Sequence, residues 1–207
     1  MSRLIVHATI LSLLSLGSTA CYAANGLGWL ALLEMVTSKQ DKSSRYVYSG
    51  SVDLHHLIEK QAVATGVPER LIAAVIMTES YADPCAVSSA GAVGVMQLMK
   101  QTAREIDPAI DRFNPVDNVR GGARYLRIGL DRTRGNWQQA AAFYNGGPTT
   151  LGKKSGQWFR ETREYAIEKI PGWLARFQSK GDWRKVVPKR IRHTNWHVCN
   201  NLLANKR

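Results

Sequence analysis

Apolar residues recur at helical spacing from about Val52 onward. Leu54, Leu57 and Ile58 form the first stripe, with Asp53 placed to cap its start and Gly66 to end it. A second helix is predicted from Pro68, a residue at home in a first turn, and Leu71, Ile72, Val75 and Ile76 share one face of it. Glu79 continues that face, seven residues after Ile72, four after Val75 and three after Ile76. Gly91 and Gly94 mark tight turns, after which Met96, Gln97 and Leu98 are predicted to open a further helix. Small alanines fill a later helix in NWQQAAAFYNGGP, which Asn145-Gly146-Gly147-Pro148 terminates. From Asp53 to Ile170, β-branched runs are few and no internal repeat is present, so the fold class is mainly α.

A carboxylate on a core-facing stripe is partly desolvated, which raises its pKa and lets it hold a proton near neutrality, as a general acid must. A buried Glu satisfied by an Arg or by backbone donors fits the same position equally well. Asp83 follows four residues later, yet in ADP the proline disfavours a helical Asp83, which reads as a turn or cap residue.

Composition places the chain among partners rather than folds. Its 207 residues suit one main domain, and a net charge of +12 favours anionic partners such as nucleic acid, an acidic membrane surface or acidic wall polymer. Residues 1–23 read as an export signal: Arg3, an apolar run from Leu4 to Leu16, then small residues suited to cleavage after Ala20 or Ala23. Cys21 adds a second reading, membrane association through a lipid or an uncleaved signal. Residues 24–51 form a spacer. The domain proper is assigned to 52–170, and 171–207 form a basic extension with nine Lys or Arg against one Asp. Trp173, Trp183 and Trp196 are interleaved with that charge. Export makes an anionic wall or membrane surface, not nucleic acid, its expected partner, beside the plain reading of a solvated tail.

In an exported chain, Cys85 and Cys199 form an even pair, and either a disulfide or two free thiols fits the sequence. His193 and His197 share helical spacing without a second ligand cluster, so no metal or cofactor is expected.

Four motifs in order, TES, AVSSAGAVGVMQLM, AFYNGGP and ETREYAIEKI, with FNPVDNVRGGARYL between them, resemble the Slt-type lytic transglycosylases. These are goose-lysozyme-like enzymes that cleave peptidoglycan glycan strands. Val95, Phe143 and Gly146 depart from the family pattern beside the expected functional positions. The resemblance implies a lysozyme-like domain with a substrate cleft and Glu79 as the catalytic acid and then base. The bond cut is that between N-acetylmuramic acid and N-acetylglucosamine, with closure of a 1,6-anhydro ring. It further implies Ser88, Gln97, Met99, Tyr144, Asn145 and Glu161 around the substrate, with the Tyr144 hydroxyl orienting the Glu79 carboxyl. Without the resemblance, Ser88 and Asn145 read as turn or helix-ending residues, Met99 and Tyr144 as core. A monomer acting on peptidoglycan, serving a secretion or conjugation apparatus across the envelope from the periplasm, is the expected setting.

Overall fold

The computed structural model describes residues 50–204; the proposed signal, Cys21 and most of the spacer lie outside them. A short strand β1 (Ser51–Asp53) leads into α1 (Leu54–Thr65), which Asp53 caps by accepting from the His56 amide at 3.0 Å and which Gly66 ends at φ 69°. Helix α2 (Glu69–Glu79) follows Pro68. All of Leu71 to Met77 is buried, a wider burial than one stripe, because neighbouring helices cover α2 on several sides and small Ala73 and Ala74 let them approach.

Helices α3 (Lys100–Ile106), α4 (Pro115–Arg132) and α5 (Trp137–Gly146) continue the bundle. Asn114 and Asn136 cap α4 and α5 through their side-chain oxygens. Gly129 brings α4 close to α5: a Cβ there would lie 2.9 Å from Phe143 Cδ1. After α6 (Arg160–Glu164), the chain makes a π-helical turn over Tyr165–Lys169 and resumes as α7 (Ile170–Ser179).

Residues 171–201, set apart in the sequence by their charge, are built into this core. Phe177 and Trp183 are buried, and so are Val187 and Ile191. Strand β2 (Arg190–Arg192) pairs antiparallel with β1, Val52 opposite Ile191. The Arg184 guanidinium lies over the Trp183 ring at 4.6 Å and reaches Glu59 of α1 at 2.7 Å and Glu69 of α2 at 3.0 Å. The last helix, α8 (Trp196–Ala204), carries Cys199, which is joined to Cys85 in a disulfide. The basic side chains Lys185, Lys189, Arg190 and Arg192 stay on the surface while the apolar residues between them turn inward.

Among the described residues, no helix is long and apolar enough to cross a membrane, and no cluster of His, Cys, Asp and Glu has metal-ligating geometry.

Candidate active site

The site begins where α2 stops. Glu79 is its last residue and half-buried, at the end of the most deeply buried helix in the fold. Ser80 stops the helix, and its hydroxyl donates to the Val95 carbonyl at 2.7 Å, tying this end to the loop that follows. Tyr81 and Ala82 then take positive φ, 53° and 66°, which reverses the chain within two residues. Asp83 accepts from the Cys85 amide at 2.9 Å, so its carboxylate is a turn residue, as the proline after it requires.

The loop from Ala86 to Met99 is held by backbone bridges between Val87, Val93 and Leu98, and by a residue that spacing alone does not single out. Asn118, fully buried on α4, accepts from the Met96 amide at 2.7 Å and donates to the carbonyls of Val93 at 2.8 Å and Arg112 at 2.7 Å. Gly94, at φ 84°, passes so close that a Cβ would meet Asn118 Nδ2 at 2.4 Å. The only signal in the sequence is a polar side chain beside Val119 on an otherwise apolar helix face. This anchoring also corrects the predicted helix start: Met96 and Gln97 lie in a turn, Leu98 bridges to Val93, Gln97 sits at φ 48°, and α3 begins only at Lys100.

Gln97 spends its side-chain amide nitrogen on the carbonyls of Ala86 and Gly94, each at 3.0 Å. With Met99, which is 42% exposed and therefore not core, it lines a cavity of about 260 Å³ together with Tyr125, Tyr144, Asn145 and Gly146. The Asn145 side-chain oxygen accepts from Thr162 at 2.8 Å, which couples the end of α5 to α6. Ser88 is half-exposed and its hydroxyl oxygen accepts from the Ala92 amide at 3.0 Å, a turn contact outside this cavity's lining.

The hydroxyl expected of Tyr144 is supplied by a different residue. Tyr144 donates to the Met96 carbonyl at 2.8 Å, and it is Tyr165, first residue of the π-turn, that donates to Glu79 Oε1 at 2.8 Å. Tyr165 is buried at the start of the π-turn, and π-turns are frequent at functional sites. Burial first, and then the Glu79 carboxylate, keep both phenols well above the ordinary tyrosine range, so both remain donors.

Glu79 has a carboxyl pushed up to about 7. Desolvation is the largest cause; the Tyr165 hydrogen bond works against it, the exposed Glu161 carboxylate adds to it, and Lys169 opposes it. Glu161 and Lys169 lie four residues either side of Tyr165, so the closing helix brings a donor, a like charge and an opposite charge to one carboxyl. The group holds a proton near neutral pH and can release it without leaving a second buried charge. Replacing Tyr165 by Phe removes the donor that favours the ionised form. We expect the pH at which activity is lost on the alkaline side to move upward, with a rate about tenfold lower from lost orientation. An unmoved pH profile would show that this hydroxyl does not act on Glu79.

Residues 56–170 match the family model of the transglycosylase SLT domain. The chain belongs to this family. Relatives of the SLT domain include a "Transglycosylase" of Enterobacteria phage PRD1, 33% identical over 117 residues, which are 56% of this chain and 42% of that protein. "Membrane-bound lytic murein transglycosylase F" of Desulfosudis oleivorans is 40% identical over 85 residues, 41% of this chain and 18% of its own. "Membrane-bound lytic murein transglycosylase C" of Yersinia enterocolitica is 30% identical over 136 residues, 58% and 36% of the two chains. The SLT chain thus spans less than half the length of these relatives. Among solved structures, the lytic transglycosylase Slt of Pseudomonas aeruginosa superposes with a TM-score of 0.54 at 23% identity, covering 82% of this chain and 30% of that one. The 70 kDa soluble lytic transglycosylase of Escherichia coli gives 0.54 at 24%, covering 67% and 26%. These likenesses establish the SLT fold.

Proposed function

We propose that this SLT domain is a peptidoglycan lytic transglycosylase with Glu79 as its acid and base. The observation that carries the reading is a single desolvated carboxyl, held protonated near pH 7 at the end of α2 and contacted by one donor, Tyr165. Glycosidases that use two carboxylates place them roughly 5 Å apart for retention or about 6.5 to 9.5 Å for inversion. Here Asp83, the acid nearest in sequence, is engaged in its own turn. We therefore assign both the acid and the base role to Glu79.

Protonated Glu79 gives its proton to the glycosidic oxygen between N-acetylmuramic acid and N-acetylglucosamine as the bond from that oxygen to the anomeric carbon breaks. The muramyl acetamide stabilises the positive charge that develops there. The ionised Glu79 then takes the proton of the same sugar's C6 hydroxyl, whose oxygen bonds to the anomeric carbon and closes the 1,6-anhydro ring. No water is consumed, and Glu79 ends protonated as it began. Gln97, Met99, Tyr144 and Asn145 form the cavity for the sugars, Ser88 supports the loop that shapes it, and Glu161 raises the acidity threshold of Glu79.

A second reading, hydrolysis by water, is favoured by one observation: the exposed Glu161 carboxylate on α6 adds to the rise in the Glu79 pKa, which makes it the candidate to hold an attacking water. The two readings part on their products. Purified peptidoglycan digested by the chain lacking residues 1–23 should yield 1,6-anhydromuramyl ends by mass spectrometry, and reducing hydrated ends would make the domain a hydrolase. The role we assign is local wall opening for a secretion or conjugation apparatus after export, supported by the apolar leader and the basic surface.

A further inference from the structure

A second cavity opens beside Thr78 and Tyr81, which lie on either side of Glu79 in the chain. It measures about 410 Å³, and its opposite wall is Glu168, Lys169, Gly172, Trp173 and Arg176, from the π-turn and α7. Trp173 and Arg176 lie beyond residues 56–170, the part that matches the family. The lining differs in kind from the cavity at Gln97 and Asn145, for it presents two cations and two large rings.

Tyr81 is 71% exposed and held at φ 53°, a conformation that a bulky residue keeps only where its surroundings enforce it. Its ring meets Trp173 edge-on with centroids 5.7 Å apart, and the Arg176 guanidinium stands 5.5 Å from the centre of the Trp173 ring. A cation at this distance from an indole ring is attracted to it, which keeps Arg176 at the cavity wall. Among the described residues, neither Arg176 nor Lys169 has a carboxylate within ion-pair distance. With Glu168 on the same wall, the lining keeps one positive charge in excess, enough for one carboxylate.

We propose that this cavity receives a carboxylate of the peptide stem carried by the muramyl residue next to the scissile bond, with Arg176 and Lys169 as its partners and Trp173 and Tyr81 as its apolar wall. The proposal rests on the glycan-cleaving reading above. A peptide-substituted glycan offers acetamides and hydroxyls along its sugars, none of them charged, so a cationic cavity beside the cut has the stem as its anionic complement. A planar guanidinium suits a carboxylate because two parallel donors meet two oxygens. The SLT domain would thereby prefer strands that still carry their stems.

The test compares initial rates on intact peptidoglycan strands and on strands stripped of stems by an amidase, their exposed lactyl carboxylates then capped as methylamides, for the wild type, Arg176→Ala and Arg176→Lys. We expect the wild type to prefer stem-bearing strands about tenfold in kcat/KM, carried by KM. Arg176→Ala should bring that ratio to about one, with Arg176→Lys in between. A ratio near one in the wild type, or a ratio unchanged in Arg176→Ala, overturns the proposal while leaving the cleavage assignment intact. Failure of the enzymatic reading is separated by titrating Glu79→Gln protein with a soluble muropeptide bearing a free stem carboxylate and with its carboxamide form. Binding that favours the carboxylate and weakens in the Glu79→Gln, Arg176→Ala double variant upholds the cavity even without turnover, whereas equal binding of the two forms sinks it.

Discussion

Glu79→Gln protein is expected to lose cleavage by about a thousandfold or more and, at the same time, to be more stable than the wild type at pH 8. The first effect follows from removing the only proton donor the proposed reaction has. The second follows from linkage. In the folded protein the carboxyl is pushed from 4.5 up to about 7. Below the lower value both folded and unfolded chains carry the proton, and the stability it confers is fully present. Between the two values the unfolded chain ionises first, so stability falls with rising pH, and the loss is complete once pH has passed through the folded value. Its size is about 3 kcal/mol, taking 1.36 kcal/mol for each tenfold change in acidity. Gln keeps the shape and can still accept from Tyr165 without ever ionising. Denaturant unfolding at pH 4 and pH 8 should therefore show the variant level with the wild type at the lower pH and ahead of it at the higher. A variant less stable at pH 8 would mean that the carboxylate is well solvated, and the assignment of Glu79 as an acid would go with it. The same titration predicts that wild-type activity declines above about pH 7 as the donor form is lost.

Reduction of the disulfide, or Cys199→Ser, should lower stability by about 5 kcal/mol, since closing a loop of this size removes that much freedom from the unfolded chain. The bridge spans 114 residues of sequence and encloses every residue assigned to the site except Glu79 itself, which lies six positions before Cys85. Its loss frees the turn between Asp83 and Ser88 together with α8. We expect the melting temperature to fall by on the order of 10 °C, and activity on peptidoglycan to fall with it at temperatures well below the new midpoint. Differential scanning calorimetry with and without reductant decides the matter; an unchanged melting temperature in fully reduced protein would show that Trp183, Ile191 and the Arg184 ion pairs suffice to hold the C-terminal segment.

Much of the scaffold is legible in the sequence because local physics sets it. Asp53 and Gly66 bound α1, Pro68 opens α2, and the spacing of Ile72, Val75 and Ile76 aims Glu79 inward. The features that escape are those in which tertiary contacts override local pattern. The α-helical period continues smoothly through ETREYAIEKI, so nothing in it distinguishes a π-turn, and the motif resemblance points to the Tyr144 hydroxyl although Tyr165 makes the bond. Met96, Gln97 and Leu98 carry a helical pattern, but Asn118 binds the Met96 amide from 22 residues away and Leu98 pairs with Val93 instead. After Ile170, charge dominates the composition and conceals the wide spacing of Phe177, Trp183, Val187 and Ile191, which becomes meaningful only once β2 pairs with β1.

The π-turn at Tyr165–Lys169 also sets a rule for changes in chain length. A π-turn is equivalent to one residue inserted into an α-helix, and each helical residue turns the chain by about 100°. A residue added to a helix that stays regular would rotate everything beyond it by that angle, whereas a residue absorbed in a wide turn leaves both flanks in phase. Drawing this stretch into a regular α-helix at unchanged length would turn Phe177 away from the core and Trp173 and Arg176 away from Tyr81. The wide turn is therefore a phase adjuster: it allows one helix to serve the reaction centre with one half and the core and second cavity with the other.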